Sequence, residues 1–451
     1  MRPLAYKDYV LVLLMATLAF NFVDRLALGV VLQDIKADLH LTDSQLGLLT
    51  GIAFALFYSV MGIPIARWAD RGNRAKIISL TTALWSVAVA LCGIAAGFLQ
   101  LMVIRVGVAV GEAGAFAPSL SLISDYFDRS ERPRAVAIHA LAAPLAAVVG
   151  YLLAGWLDQL YGWRITFMLL AVPGIVLALV ARLTLKDPRQ GRPAAEISSG
   201  ARLASRSPTL GHPNLEPHPG LADVSRTLWR NRTFRRLLMA LSVLYFFTYG
   251  ILQWQPAFFI RSYGLTSAQV GAAFAALYGL GGLIGTYLGG RLAARYAAGN
   301  ERLQLVAIAI AMTCAGILST AGYLATSRYV TFGLIAGSVV AQSGINGPLF
   351  ATILTLVPES MRAVAIAVVM LFANLVGMGF GPLATGVLSD ALHPWVAAES
   401  LRYALAILAP GYLLVGCLVW GASRSLPQDL AAASAAGEEG PGTLVDAGTM
   451  M

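Results

Sequence analysis

Two adjacent ionisable residues, Asp24 and Arg25, sit inside the first long apolar segment of the chain, residues 8–31. A second pair, Arg105 and Glu112, sits inside another, residues 101–124. A charged side chain at the centre of a bilayer costs roughly 2.5–3.5 kcal/mol on translocon scales, so such residues face a cavity or one another and mark a substrate or proton path. The four charges sum to zero, and a buried pair is tolerable only when it is compensated. A carboxyl group can take up and release a proton, whereas a guanidinium stays charged. Protonating Asp24 or Glu112 would release an arginine, and a freed guanidinium suits a phosphate or carboxylate through two parallel hydrogen bonds. That is a route for coupling protons to an anion; a static ion-pair lock is the alternative. The interiors of the apolar segments in the second half hold no Asp, Glu, Lys or Arg.

The elements that position these residues follow from composition. The 451-residue chain is 58% hydrophobic and only 12% charged, where soluble domains carry about a quarter charged residues. Apolar runs of about 20 residues can cross a bilayer as helices. Twelve are expected, near residues 8–31, 44–66, 77–98, 101–124, 134–157, 163–183, 235–260, 268–290, 303–324, 329–352, 362–389 and 402–423. The fold class is therefore an all-α membrane protein. The first run is too long for a cleavable signal peptide and lacks a small-residue cleavage site. At 1.5 Å per residue, Asp24 and Arg25 lie about 10 Å from the outer end of their helix, Arg105 about 8 Å in and Glu112 about 18 Å in. Arg105 and Glu112, seven apart, share a helix face.

Of the 32 Lys and Arg residues, 25 fall in the termini and every second connection. Only Lys36, Arg164, Arg261, Arg328 and Arg402 fall in the alternate set. The positive-inside rule then places both termini in the cytoplasm, consistent with a multi-pass protein of a bacterial inner membrane. The net charge of +9 is spread along one membrane surface, and no compact basic face for nucleic acid is suggested. Cys92, Cys314 and Cys417 all lie in apolar runs without a CxxC, so no disulfide or metal site is expected. A P-loop is absent, as are HExxH, GxSxG and paired-His patterns; neither a cofactor nor an enzyme activity is expected.

The chain repeats itself. Leu41-Thr-Asp-Ser-Gln-Leu-Gly47 matches Leu265-Thr-Ser-Ala-Gln-Val-Gly271, and Ala66-Arg-Trp-Ala-Asp-Arg71 matches Gly290-Arg-Leu-Ala-Ala-Arg295. Gly111-Glu-Ala-Gly114 matches Ala341-Gln-Ser-Gly344, and Ala143-Pro-Leu-Ala146 matches Gly381-Pro-Leu-Ala384. The preserved order predicts two six-helix halves, residues 1–185 and 235–426, with a binding site near the midplane between them. Residues 186–234, rich in Pro, Ser, Gly and Arg, read as a cytoplasmic linker and residues 427–451 as a disordered cytoplasmic tail.

This arrangement resembles the major facilitator superfamily. Ala66-Arg-Trp-Ala-Asp70-Arg71-Gly-Asn-Arg74-Ala-Lys76 is similar to that superfamily's gating motif, which assigns gating to Asp70, Arg71 and Arg74. A narrower resemblance covers most of the first half. Asn21-Phe-Val-Asp24-Arg25, Asp70-Arg71-Gly-Asn-Arg74, Trp85-Ser86, Arg105-x6-Glu112-Ala113 and Pro118 resemble the Spinster subfamily. That resemblance implies export of lysophospholipids or phosphorylated sphingoid bases with proton coupling.

The repeat partners of Asp24 and Arg25 are Thr248 and Tyr249, and those of Arg105 and Glu112 are Ile335 and Gln342. Residues 235–260 add Tyr245, Phe246 and Trp254. The second half thus offers an uncharged, aromatic wall, suited to the greasy tail of a substrate whose anionic head meets the first half; core or lipid-facing packing is the other reading of these aromatics. The expected proton-coupling residues are Asp24 and Glu112. The expected substrate contacts are Arg25, Arg105, Glu112, Tyr245, Tyr249, Trp254, Gln342 and Asn346, with Asn346 equally readable as a helix-packing residue. The ladder Gly281, Gly285, Gly289 reads as close helix packing. The function expected is a monomeric proton-coupled secondary transporter of amphipathic anionic lipids. Alternatives are a transporter of small organic anions or drugs, and a membrane lipid sensor without turnover.

Overall fold

The computed structural model describes residues 6–189, 229–297, 299–357 and 361–438. Among these residues every regular element is helical. In lipid each backbone polar group must be satisfied within its own segment, so long apolar runs resolve into helices. Among the described residues ten helices are long and apolar enough to cross a membrane: α1 (Tyr6–Leu39), α2 (Asp43–Arg71), α3 (Arg74–Cys92), α4 (Phe98–Tyr126), α5 (Arg132–Thr184), α6 (Arg232–Tyr263), α7 (Ser267–Tyr296), α8 (Glu301–Leu324), α9 (Arg328–Thr355) and α10 (Val364–Ala431). Two of them, α5 with 53 residues and α10 with 68, are long enough for two crossings each. α5 breaks at Gly162, whose φ of 76° falls in the region open to glycine. Within and beyond the end of α10 the helix divides into Gly381–Val396, Ser400–Leu408 and Gly411–Glu438.

The internal repeat is visible in local chemistry. Thr42 and Gln45 form a capping box at the start of α2, and Thr266 and Gln269 form its twin at the start of α7. Glycines then let each of these helices press on a partner from the opposite half. A Cβ on Gly47 would lie 2.6 Å from the Pro382 carbonyl, and one on Gly386 2.2 Å from the Asp43 carbonyl, so α2 abuts α10. In the twin interface a Cβ on Gly271 would lie 2.4 Å from the Tyr151 carbonyl, and one on Gly155 2.3 Å from the Ser267 carbonyl, so α7 abuts α5. Tyr151 and Gly155 therefore take the places of Pro382 and Gly386. The match between Ala143-Pro-Leu-Ala146 and Gly381-Pro-Leu-Ala384 is not the structural register: a Pro-Leu-Ala string fits any helix start, whereas the glycine contacts fix which turns touch. The ladder from Gly281 to Gly289 packs α7 on α9, with Cβ positions of Gly285 and Gly289 only 2.4 and 2.2 Å from the carbonyls of Val340 and Gly344.

The chain ends differ from the expected boundaries. Helix continues to Glu438, through residues 427–438 of the expected tail. Alanine, the strongest helix former, dominates that stretch, and the Asp429 carboxylate accepts the Thr233 N–H at 2.7 Å, tying it to α6. Residues 439–451 and 190–228, most of the expected tail and linker, lie outside the described residues. The first linker residues are anchored rather than loose, because Asp187 is buried against Arg74.

Candidate functional site

A cavity of about 570 Å³ opens between the two halves, lined by α1, α2, α4 and α5 on one side and α6, α7, α9 and α10 on the other. Among the described residues Arg25 and Arg105 are the only lysine, arginine, aspartate or glutamate side chains that line it; Phe22, Phe54, Tyr151, Tyr249, Tyr278 and a set of Leu, Ala, Met and Pro side chains cover most of the rest. The site is thus a greasy pocket with a cationic wall.

Each charge is held by its own surroundings. Arg25 Nε donates to Glu112 Oε2 at 2.5 Å, and the guanidinium lies 4.8 Å from the Phe54 ring centre and 4.6 Å from that of Tyr58. The Arg105 guanidinium lies 5.1 Å from the centre of the same Phe54 ring, and its Nε and Nη1 are buried without a hydrogen-bond partner. Glu112 reaches this position because α4 presses on α3: a Cβ at Gly111 would lie 2.6 Å from the Trp85 backbone nitrogen. Asp24 is buried, carries a carboxylate oxygen without a hydrogen-bond partner, and is faced by the Trp85 side chain. Consecutive helix positions point about 100° apart, so Arg25 turns into the cavity while Asp24 turns into the packing of the first half. The expected grouping of four charges is present, but the pairing is Arg25 with Glu112; neither arginine forms an ion pair with Asp24. Both carboxylates stand behind the cavity wall, and Glu112 acts on the cavity through Arg25.

On the second half, Tyr249 lines the cavity and Tyr245 stacks against it, ring centres 5.7 Å apart. Three expectations are corrected. Trp254 is fully buried and donates from Nε1 to the Pro382 carbonyl at 2.9 Å, bracing α6 on α10 rather than meeting a ligand. Gln342 does not line the cavity; its Nε2 donates to Ser338 Oγ at 2.9 Å, and it faces the Tyr412 hydroxyl. Ile335, the counterpart of Arg105, is buried where α8 meets α9, so it forms no cavity wall. The Asn346 side chain lies outside what the structure describes.

Gln253 is a lining residue that the sequence reading missed. Its Nε2 is buried and unpartnered, and it faces Gly29, where a Cβ would lie 3.5 Å away. Gly29 and Gln253 occupy equivalent repeat positions, as Arg25 and Tyr249 do, so pairing repeat partners residue by residue would have revealed the contact.

The cavity is closed at one end. The ends of both halves share one face, where Tyr6 meets Thr184 and Thr233 meets Asp429. At the opposite face Arg261 grips Asp43 with two 2.8 Å hydrogen bonds and reaches Gln33 at 2.5 Å. Lys36 also pairs with Asp43 at 2.5 Å, Ser389 donates to it at 2.6 Å, and Asp390 accepts the Asp43 and Ser44 N–H groups at 3.0 and 2.7 Å. In the twin position Gln159 accepts the Ala268 N–H at 3.2 Å. Among the described residues every hydrogen bond between the halves belongs to this seal. Sequence reasoning missed it, because charges flanking an apolar run look like ordinary loop charges.

The expected gate lies on the open face. Asp70 and Arg71 are exposed, and a contact to Asp70 is made by Arg189, to its backbone carbonyl, at 3.5 Å. Arg74 is not part of a movable mouth: it is fully buried and binds Asp187 at 2.6 Å and Asp125 at 2.5 Å within the first half. Burial opposes the charge on Asp187, but the Arg74 hydrogen bonds outweigh it and hold that carboxyl below the ordinary carboxylate range.

Two halves joined around a central cavity, sealed at one face and open at the other, are the anatomy of an alternating-access transporter. The Major Facilitator Superfamily signature spans residues 14–382, and the chain belongs to that superfamily. Within it the chain is Spinster-like. It is 25% identical over 412 residues to Protein spinster homolog 1 of Xenopus tropicalis, covering 86% of this chain and 75% of that one. A solved bacterial homolog of the human lysosomal transporter Spinster, in an inward-facing and unoccupied conformation, superposes with a TM-score of 0.80 at 28% identity, covering 95% and 99% of the two chains. The chain is also 30% identical over 418 residues to an MFS-type efflux pump of Mycolicibacterium smegmatis, covering 91% of each. A probable L-galactonate transporter of Escherichia coli is 25% identical over 400 residues, covering 88% of this chain and 85% of that one. The relatives are transporters and efflux pumps, not enzymes.

Proposed function

We propose that the protein is a proton-coupled secondary transporter that moves amphipathic anionic lipids, of lysophospholipid or phosphorylated sphingoid type, by alternating access. The observation that carries this reading is Arg105: a guanidinium in the wall of an apolar cavity, with two buried donors that no protein group accepts. Buried charged donors left unpaired are costly, so the site is suited to an anion. Arg25 would join Arg105 on the head group when Glu112 takes a proton, since a neutral carboxyl no longer holds the guanidinium. Asp24 would tune the same switch through the packing behind it. Tyr249, Tyr278 and the aliphatic lining would receive the tail.

In this reading the chain crosses the membrane twelve times, α5 and α10 each supplying two crossings. Its termini lie in the cytoplasm, the Asp43–Arg261 seal faces outward, and Asp70 and Arg71 close the inner face in the other state. A single protomer suffices. A second reading, transport of a small organic acid, draws on the Escherichia coli relative named for L-galactonate. Purified protein in liposomes under an imposed pH gradient separates the two. Gradient-dependent movement of a labelled lysophospholipid, with no movement of labelled galactonate, supports the lipid reading; the reverse pattern refutes it.

A further inference from the structure

A second groove, of about 670 Å³, lies away from the central cavity, where the start of α6 meets α10 at Phe372 and Val376. Arg232, Arg235 and Arg236 line it within little more than one helical turn. Trp229, placed just before the Asn231 cap, is 59% exposed at its edge, and its apolar wall includes Met239, 56% exposed, and Phe372, 42% exposed. Arg236 spends one nitrogen on the Gly421 carbonyl at 2.6 Å, while no hydrogen bond or ion pair engages Arg232 or Arg235 among the described residues. Among the described residues no Asp or Glu lines the groove, and Asp429, bound to the Thr233 N–H, forms no ion pair with these arginines, so the cluster keeps a positive excess.

The fold does not require this cluster. The equivalent turn of α1 carries Asp8, Leu11 and Val12 where α6 carries the three arginines, and Lys7 beside it is paired with Glu131. A tryptophan at the edge, guanidinium groups at the mouth and exposed apolar side chains one to two turns deeper follow the polarity of a phospholipid, head to tail.

We infer that the Arg232–Arg235–Arg236 groove binds the phosphate head group of an anionic membrane phospholipid, with an acyl chain laid along Met239 and Phe372. This site is separate from the transport cavity and does not depend on which substrate that cavity takes. It would tie the start of the second half to the lipid surface on the face where the cavity opens.

The test is native mass spectrometry of the full chain exchanged into mixed micelles of phosphatidylglycerol and phosphatidylcholine. The parent protein should retain phosphatidylglycerol preferentially. Each arginine near an anionic surface contributes about 1 kcal/mol, roughly a fivefold change in binding, so R232Q/R235Q should weaken retention about 25-fold. The conservative R232K/R235K pair should recover most of it, which separates lost charge from lost folding. The preference should persist in an Arg105→Ala background. A preference that survives R232Q/R235Q within twofold, or that disappears with Arg105, overturns the inference. Equal competition by millimolar glycerol phosphate also overturns it, because the site would then read free phosphate rather than a lipid.

Discussion

Replacing Arg261 by alanine should shift the protein toward the state open at the sealed face. Arg261 makes two 2.8 Å hydrogen bonds to Asp43, with only 11% and 2% of the two side chains exposed. Hydrogen bonds to charged groups contribute about 1.5–3 kcal/mol each. Lys36 and Ser389 remain on Asp43 after the substitution, so its charge stays compensated and the lower end, about 3 kcal/mol, applies. These contacts exist only while the face is sealed, so the whole loss falls on that state. At 1.4 kcal/mol per tenfold, the equilibrium moves about 150-fold, and an alternative state populated at about 1% rises to roughly 60%. Spin labels at the exposed positions Ala37 and Tyr329, in a protein with its three cysteines replaced, report the distance across this face. Double electron–electron resonance should show a second, longer distance as a major population in Arg261→Ala. An unchanged distance distribution would mean that the glycine contacts of α2 with α10 and α5 with α7, not the ion pairs, hold the seal.

Arg105→Ala should weaken binding of an anionic ligand by at least tenfold while Asp70→Ala leaves it within twofold, since Arg105 lines the cavity and Asp70 stands at the open face; equal affinities by calorimetry would remove Arg105 from the site. Asp187→Asn should lower the thermal midpoint by the equivalent of about 2 kcal/mol at neutral pH, because it removes a charged partner of buried Arg74. The folded pKa of Asp187 lies below the ordinary carboxylate value, so its contribution is full above about pH 3.9 and is lost as pH falls through the lowered value. Melting curves of parent and Asp187→Asn should therefore converge in acid; a constant difference across that range would show that the pair does not titrate as a stabilising unit. Affinity should rise with acyl length by at most about 0.8 kcal/mol per buried CH₂, and chain-length-independent affinity would favour the small-anion reading.

The grouping of charges was legible in the sequence because ionisable residues inside apolar runs are costly wherever they occur. Which charge meets which was not. Asp24 and Arg25 are neighbours in sequence but point about 100° apart, and it is the close approach of α4 to α3 at Gly111 that brings Glu112 to Arg25. The two halves were legible from the repeated caps at Thr42 and Thr266. The register of the later match was not, since only the three-dimensional contacts of Gly155 and Gly386 distinguish one Pro-Leu-Ala turn from another. Trp254 shows the same limit: an aromatic that braces two helices and one that lines a cavity carry the same local pattern. Arg74 belongs to the same short motif as exposed Asp70 and Arg71, but it is buried against Asp187, over a hundred residues away in the chain.

If protonation behind the cavity frees arginine for an anionic lipid, then substrate alone should drive proton movement. Protein reconstituted into liposomes with an internal pH reporter is given a lysophospholipid with no imposed gradient. The parent protein should show a pH change that is abolished in Glu112→Gln and Asp24→Asn, with lipid binding retained in both. A pH change of parental size in Glu112→Gln, or lipid movement in the parent without any proton movement, would contradict this coupling.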